Sequence, residues 1–217
     1  MKKLLFLLLI MTLTVFSLLC KKKTDENTSI GGDQSPMGVV GTIVNSSSAP
    51  ISGVSNFTGT VTTLSSGVST YSGSATVTNP LFKNMLANAP QIIISGDNVS
   101  TTSVQAKSTV EGIESVAGLR PGILVKYASE PGDTYPIANS GDVRTVVSKS
   151  TTDDYPYGFY MIKVMKIEEP VTGALKSSGL IKITYWANHR FGLVGVQFDF
   201  SDGTSAKFPL YTSGENG

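Results

Sequence analysis

The sequence predicts a mainly β protein: an antiparallel sandwich or partly closed barrel with a C-terminal β-meander and one short helix near residues 80–89. Three observations carry this expectation. Segments such as Val39-Val40-Gly41-Thr42-Ile43-Val44 and Phe57-Thr58-Gly59-Thr60-Val61-Thr62 interleave bulky or β-branched residues with small polar ones, the period of two expected for strands with one face in water. Turn-forming clusters at residues 45–50 and 65–67 separate them. No strand-helix alternation runs along the chain, which disfavours a parallel sheet.

The chain begins Met1-Lys2-Lys3, continues as a mostly apolar run over residues 4–19, and meets its single cysteine, Cys20, directly before Lys21, Lys22 and Lys23. A basic start, a short apolar core and an abrupt change to polar sequence are the marks of a secretory signal. The run lies between the length of a signal core and the roughly 20 residues that a spanning helix needs, so an uncleaved anchor or a plain signal peptide is the alternative. Ser17-Leu18-Leu19-Cys20 resembles the lipobox of bacterial lipoproteins, most closely the relaxed form of spirochaetes and next that of Bacteroidetes, with Leu19 standing where a small residue is usual. The resemblance implies that residues 1–19 are removed, that Cys20 is lipidated and that the protein is held at a membrane, in the outer membrane or at the cell surface. Two or more acyl chains on one residue make such an anchor durable. Residues 20–37 are then expected to form a flexible tether, with a single β-rich domain over 38–217.

Between Met37 and Thr109 the chain is dominated by serine, threonine, glycine and small apolar residues, with only Lys83, Asp97 and Lys107 charged. Strands are expected within 39–44, 57–62 and 71–77. Asn79 as cap and Pro80 at the first helical position, with Leu81, Phe82, Met85 and Leu86 on one side and Pro90 beyond, predict the helix. A short strand follows at 91–95. The second half has more charge and more aromatics, and strands are expected at 122–128, 143–149, 158–167, 180–187, 193–200 and 206–211. The last three, separated by residues 188–192 and by Ser201-Asp202-Gly203, are spaced as a meander.

Composition excludes several functions. With Cys20 acylated the mature chain has no thiol, which removes disulfides, cysteine nucleophiles and thiolate metal ligands together. A formal net charge of +1 supplies no field for nucleic acid. His189, the only histidine, sits in Asn188-His189-Arg190-Phe191-Gly192 beside a cation rather than a carboxylate, and reads as a turn residue. The acidic pairs Asp153-Asp154, Glu168-Glu169 and Asp199 with Asp202 read as solvated turn residues, and Glu168 and Glu169, as neighbours on a strand, would point to opposite faces. No catalytic residue, metal site or cofactor is therefore expected.

The candidate binding patch is aromatic. In residues 180–187, Ile181, Ile183, Tyr185 and Ala187 share one face, leaving Trp186, the only tryptophan, with Lys182 and Thr184 on the other. Together with Asn188 and Arg190, Trp186 makes a plausible interface anchor, unless a second layer covers that face. The cluster over residues 155–160, which follows Asp153-Asp154, reads first as a buried strand with tyrosine at its rim; Tyr155 and Tyr157, at its proline-containing start, are the candidates in it for an exposed binding patch. The leading functional expectation is a membrane-anchored, non-enzymatic lipoprotein that binds a protein or glycan. The alternative is a periplasm-facing carrier with a small ligand in a barrel cavity, and a hydrolase ranks below both.

Overall fold

In the computed structural model, which describes residues 29–46 and 53–217, the chain folds into two large antiparallel sheets and one small hairpin. The first sheet is built mainly from the N-terminal half: β1 (Ile43–Asn45), β2 (Val54–Ser65), β3 (Val68–Val77), β4 (Ile92–Ser95), β5 (Asn98–Thr109), β6 (Gly112–Ala117) and β7 (Gly122–Lys126). It is closed on the β1 side by β16 (Tyr211–Thr212) from the chain's end. The second sheet runs β15 (Ser205–Pro209), β14 (Gly192–Phe200), β13 (Leu180–Asn188), β12 (Met165–Pro170), β9 (Val143–Lys149), β8 (Thr134–Pro136). β10 (Tyr155–Tyr157) and β11 (Tyr160–Ile162) form the separate hairpin.

The expected class is the observed one: mainly β, with the first sheet strongly curled into a half-barrel. The curl has a local cause. Register shifts interrupt the β2–β3 ladder twice and the β3–β5, β5–β6 and β6–β7 ladders once each, and each extra residue bends its strand and adds twist. Ser66 and Gly67, both at positive φ, make the two-residue turn between β2 and β3 that the right-handed strand twist favours.

α1 (Pro80–Leu86) closes the concave side. Asn79 caps it, its Oδ1 accepting from the Phe82 N–H at 3.0 Å, and Phe82 and Met85 are buried. The helix stops at Leu86 rather than 89, because the Asn88 side chain donates back to the Asn84 carbonyl at 2.8 Å. A second short helix, α2 (Gly173–Ser177), occupies a connector where only a turn is expected. One contiguous apolar core draws on both sheets and α1, from Val54 and Val77 to Ile183 and Phe208.

The meander β13–β14–β15 forms as expected. Other expectations need correction. The strand expected over 158–167 is broken into β11 and β12, which belong to different sheets. The strand expected over 206–211 divides at Leu210, sending Tyr211 across to pair with β1. Val39 and Val40 are exposed turn residues, because Pro36–Gly38 makes a 3-10 turn capped by Ser35. Of the expected tether, residues 29–37 pack onto the body: Ile30, Ser35 and Met37 are buried, and Ser35 N–H donates to the Ser108 carbonyl at 3.0 Å. Residues 20–28, Cys20 among them, lie outside the described residues. Among those residues no helix is long and apolar enough to cross a membrane.

Candidate functional site

The concave side of the curled sheet is hollow. The inner face of β3 presents Tyr71, Gly73, Ala75 and Val77 in succession, and Gly73 lies directly across from Gly59 of β2. β5 adds Thr101 and Ala106 to the same wall. Between larger residues such as Val54, Tyr71, Val77 and Val99, the middle of this wall carries Gly59, Gly73, Ala75 and Ala106, which have little or no side chain to meet the opposite layer. The result is a cavity of about 450 Å³. Close-packed interiors have few voids larger than one water, whereas pockets for small ligands span roughly 300–1,000 Å³.

The opposite wall is made by bulky groups. Phe82 of α1 meets Phe198 edge-on at 5.1 Å and Phe208 at 5.4 Å between ring centroids. Met85 and Leu86 extend the wall along the helix, and Leu119 and Leu124 close it near β7. Serine and threonine residues such as Thr58, Ser72, Ser100 and Thr101 also border it but turn almost no polar surface toward it. Tyr71, whose hydroxyl is pushed up in pKa by burial and partly relieved by a hydrogen bond with Ser108, lies on the same lining. An apolar lining of this kind favours apolar molecules and offers water few partners.

The aromatic residues singled out in the sequence come together elsewhere, over the outer side of the second sheet. Tyr155 and Tyr157 are buried, at 7% and 8% exposure, so the buried-strand account describes them and the exposed patch does not. β10 and β11 lie as a flap over β13 and β14, forming a satellite core with Ile162, Val164 and Val194. Tyr155 lies 5.9 Å from Trp186, and Tyr157 stacks on Phe191 at 4.8 Å and Tyr211 at 5.0 Å. Trp186 is half-buried, with the Lys207 ammonium 4.3 Å above its ring. Burial and the nearby Lys166 charge lower the Lys207 pKa, and burial, with a smaller contribution from Tyr211, pushes Tyr155 up to about 12. Asn188 and Arg190 sit at the sheet's end, where Asn188 Nδ2 donates to the Lys163 carbonyl at 2.7 Å and Arg190 pairs with Glu215 through two bonds of 2.9 and 3.0 Å.

His189 packs edge-on against Tyr127 at 5.2 Å. Glu168 and Glu169 diverge as strand geometry requires: Glu168 faces Lys166 at 2.7 Å on the half-exposed side, and Glu169 is fully buried. Asp154 accepts from the Ser150 hydroxyl at 2.7 Å and Asp202 from Thr204, while Asp199 accepts from Gln197. Among the described residues no three metal-ligating side chains converge.

Two features could not be placed from the sequence, although a cavity was part of the carrier alternative. One is the cavity, whose signal is the run of small residues at inward positions of β2, β3 and β5. The other is a buried ionic cluster at the seam between the sheets. Arg144, with no exposed surface, donates to Glu169 Oε2 at 2.7 Å and to the Ile123 and Arg120 carbonyls at 2.9 and 2.7 Å. Arg120 bridges Glu169 and Asp142, Tyr185 donates to Glu169 at 3.0 Å, and Thr172 donates to Asp142 through both its N–H and its hydroxyl. Every charge is answered, and the residues come from the β6–β7 connection, the β8–β9 connection, β9, β12, the segment before α2 and β13. The signal is Arg144 standing in phase with the buried Val146 on β9.

No protein-family model matches the chain, and no curated protein matches it in sequence. The functional argument therefore rests on these two sites. The ionic cluster is sealed and internally satisfied, the pattern of a structural clamp. The cavity has space and no internal partner.

Proposed function

We propose that the protein is a lipid-anchored, non-enzymatic binding protein that carries a small apolar molecule in the concave side of its N-terminal sheet. The observation that carries this reading is the cavity: about 450 Å³, walled by Phe82, Met85, Leu86, Phe198 and Phe208 on one side and by Gly59, Gly73 and Ala75 on the other. Each methylene moved there from water is worth about 0.8 kcal/mol, so a chain of modest length supplies useful affinity without a single ionic contact. The near absence of polar lining favours an acyl chain or another hydrocarbon-rich molecule over a sugar or a nucleotide. The lipobox-like sequence at Cys20 supports placement at a bacterial outer membrane or cell surface, where such ligands are at hand.

Burial of Tyr155 and Tyr157 and the half-burial of Trp186 weigh against these rings as the main anchors for a protein or glycan partner, which moves the carrier reading ahead. Titration of the purified protein with a fluorescent long-chain fatty acid tests it. Saturable binding at one site per chain, reversed by unlabelled fatty acid, is the expected result. Fluorescence that rises without saturation, or that unlabelled competitor leaves unchanged, rejects the cavity as a binding site.

A further inference from the structure

The strongest exposed apolar feature lies at the tip of the β10–β11 hairpin. Tyr157 pairs with Tyr160 across the two-residue turn of Gly158 and Phe159, and Gly158 holds a positive φ of 59°. Phe159 is 103% exposed, Tyr160 71% and Met161 52%. Three consecutive large apolar residues in water stand on a packed base, since Tyr157 directly beneath them stacks on Phe191 and contacts the tilted ring of Tyr211. The tip is thus presented in a fixed direction.

Its position in the molecule is informative. Phe191, in the turn between β13 and β14, stacks on Tyr157 just below the tip, with ring centroids 4.8 Å apart. His189, two residues earlier, lines a cleft with Ser29 and Ile30, the first described residues. The tip and the start of the described chain therefore flank the same β13–β14 turn. Cys20 precedes Ser29 by nine residue steps, which reach at most about 30 Å when extended.

We propose that the tip formed by Phe159, Tyr160 and Met161 is a membrane-contacting wedge, seating the body end-on against the bilayer that holds Cys20. Aromatic rings with one polar edge settle at the boundary of headgroups and acyl chains, and apolar side chains on a surface element bury shallowly there. Lys163, exposed just past the base of the hairpin, with Lys21, Lys22 and Lys23 close to the anchor in sequence, supplies positive charge for anionic headgroups. Arg190 contributes less, because Glu215 neutralises it. A protein partner fits less well: specific interfaces cover about 800 Å² on each side, far more than three protruding residues offer, whereas a bilayer takes up a narrow wedge without a complementary pocket. This inference is independent of what the cavity holds.

The test uses the full chain reconstituted into vesicles of phosphatidylethanolamine and phosphatidylglycerol with brominated acyl chains. Phe159→Trp places a fluorophore at the tip, wild type gives the Trp186 baseline, and Ile93→Trp gives a second exposed site, 61% accessible, on β4 of the other sheet. The expected result is a blue-shifted Phe159→Trp emission that loses most of its intensity to bromine, with Ile93→Trp remaining water-like and unquenched. Water-like, unquenched emission from Phe159→Trp overturns the proposal. Equal quenching at both sites overturns the end-on orientation and the proposal with it.

Discussion

Along the inner face of β3 stand Tyr71, Gly73, Ala75 and Val77, whereas the inner faces of β12 and β13 carry Met165, Ile167, Glu169, Ile183 and Tyr185. Both rows belong to antiparallel strands of the same core, yet the first withholds volume and the second fills it with large residues and a buried carboxylate. The curled sheet gives up contact with the opposite layer along its middle, and the second sheet is tied by apolar packing and by the Arg120–Asp142–Arg144–Glu169 cluster. A body without disulfides can tolerate an open interior on one side where the other is held strongly. Stability and ligand capacity should therefore separate between the two regions, with damage at the clamp unfolding the protein and filling of the cavity sparing it.

The largest effect is expected at the clamp. Glu169→Ala leaves Arg144 buried without its carboxylate and Tyr185 without its acceptor. Removing one member of a buried ion pair costs about 3–5 kcal/mol, a large share of the 5–15 kcal/mol that holds a typical domain together. The urea unfolding midpoint of this variant should fall steeply, or the protein should fail to accumulate in soluble form. A midpoint within error of wild type would show that the cluster is incidental.

Phe82→Ala tests the border between the regions. Phe82 packs against Phe198 and Phe208 and also walls the cavity. Truncation of a buried phenylalanine costs about 3–5 kcal/mol, and the lower end is expected here because one side of the ring already faces empty space. Chemical denaturation gives the cost. The same substitution should let the cavity accept a bulkier apolar probe than wild type does.

Acid should weaken the clamp before it affects the cavity. Burial alone would raise the Asp142 pKa, but hydrogen bonds from Arg120 and Thr172 outweigh it and hold the carboxyl down to about 2. An unfolded aspartate titrates near 3.9. The folded value is the lower one, so ionised Asp142 adds stability above about pH 4, and this contribution is lost as pH falls from about 4 through about 2. Asp142→Asn should be less stable than wild type at neutral pH and should show a smaller further loss between pH 5 and pH 2.5, measured by urea midpoints at each pH. Equal acid sensitivity in the two proteins would assign the loss to other carboxylates.

These contrasts differ in how far the sequence discloses them. The meander was legible because Gly192 and Gly203 mark turns at strand spacing and the segments between are dense in β-formers. The helix was legible from Asn79 and Pro80, since capping chemistry is local. β5, twelve residues long, went unseen because its Val99, Val104 and Ala106 are diluted by serine, threonine and lysine. The clamp is non-local: Arg144 and Glu169 are 25 residues apart, and nothing in either neighbourhood names the other. Small residues on β2 and β3 suit an outward face as well as a hollow inward one, so the place and lining of a cavity became visible only when register set Gly59 against Gly73. What buries Tyr155 and Tyr157 was hidden for a related reason, because a flap over a second layer leaves no local mark.

Filling the cavity should have the smallest effect on stability and the sharpest effect on binding. Gly59 is a buried strand position on the cavity wall, and a Cβ built there meets nothing closer than 3.9 Å. Its φ is not positive, so a side chain imposes no backbone strain. Gly59→Leu therefore projects into open space and adds apolar contacts with the facing wall. Removing glycine's extra freedom in a strand also helps by roughly 0.5–1 kcal/mol. The expected outcome is a urea midpoint equal to or above that of wild type, together with loss of saturable fatty-acid binding. A destabilised variant would mean that the space is too small for leucine, and unchanged binding would mean that the probe sits elsewhere. Gly73→Leu provides the contrast within the same wall, since a Cβ at Gly73 would come within 2.8 Å of the Thr58 carbonyl oxygen. That variant should lose stability, because its obstacle is backbone and cannot rotate away.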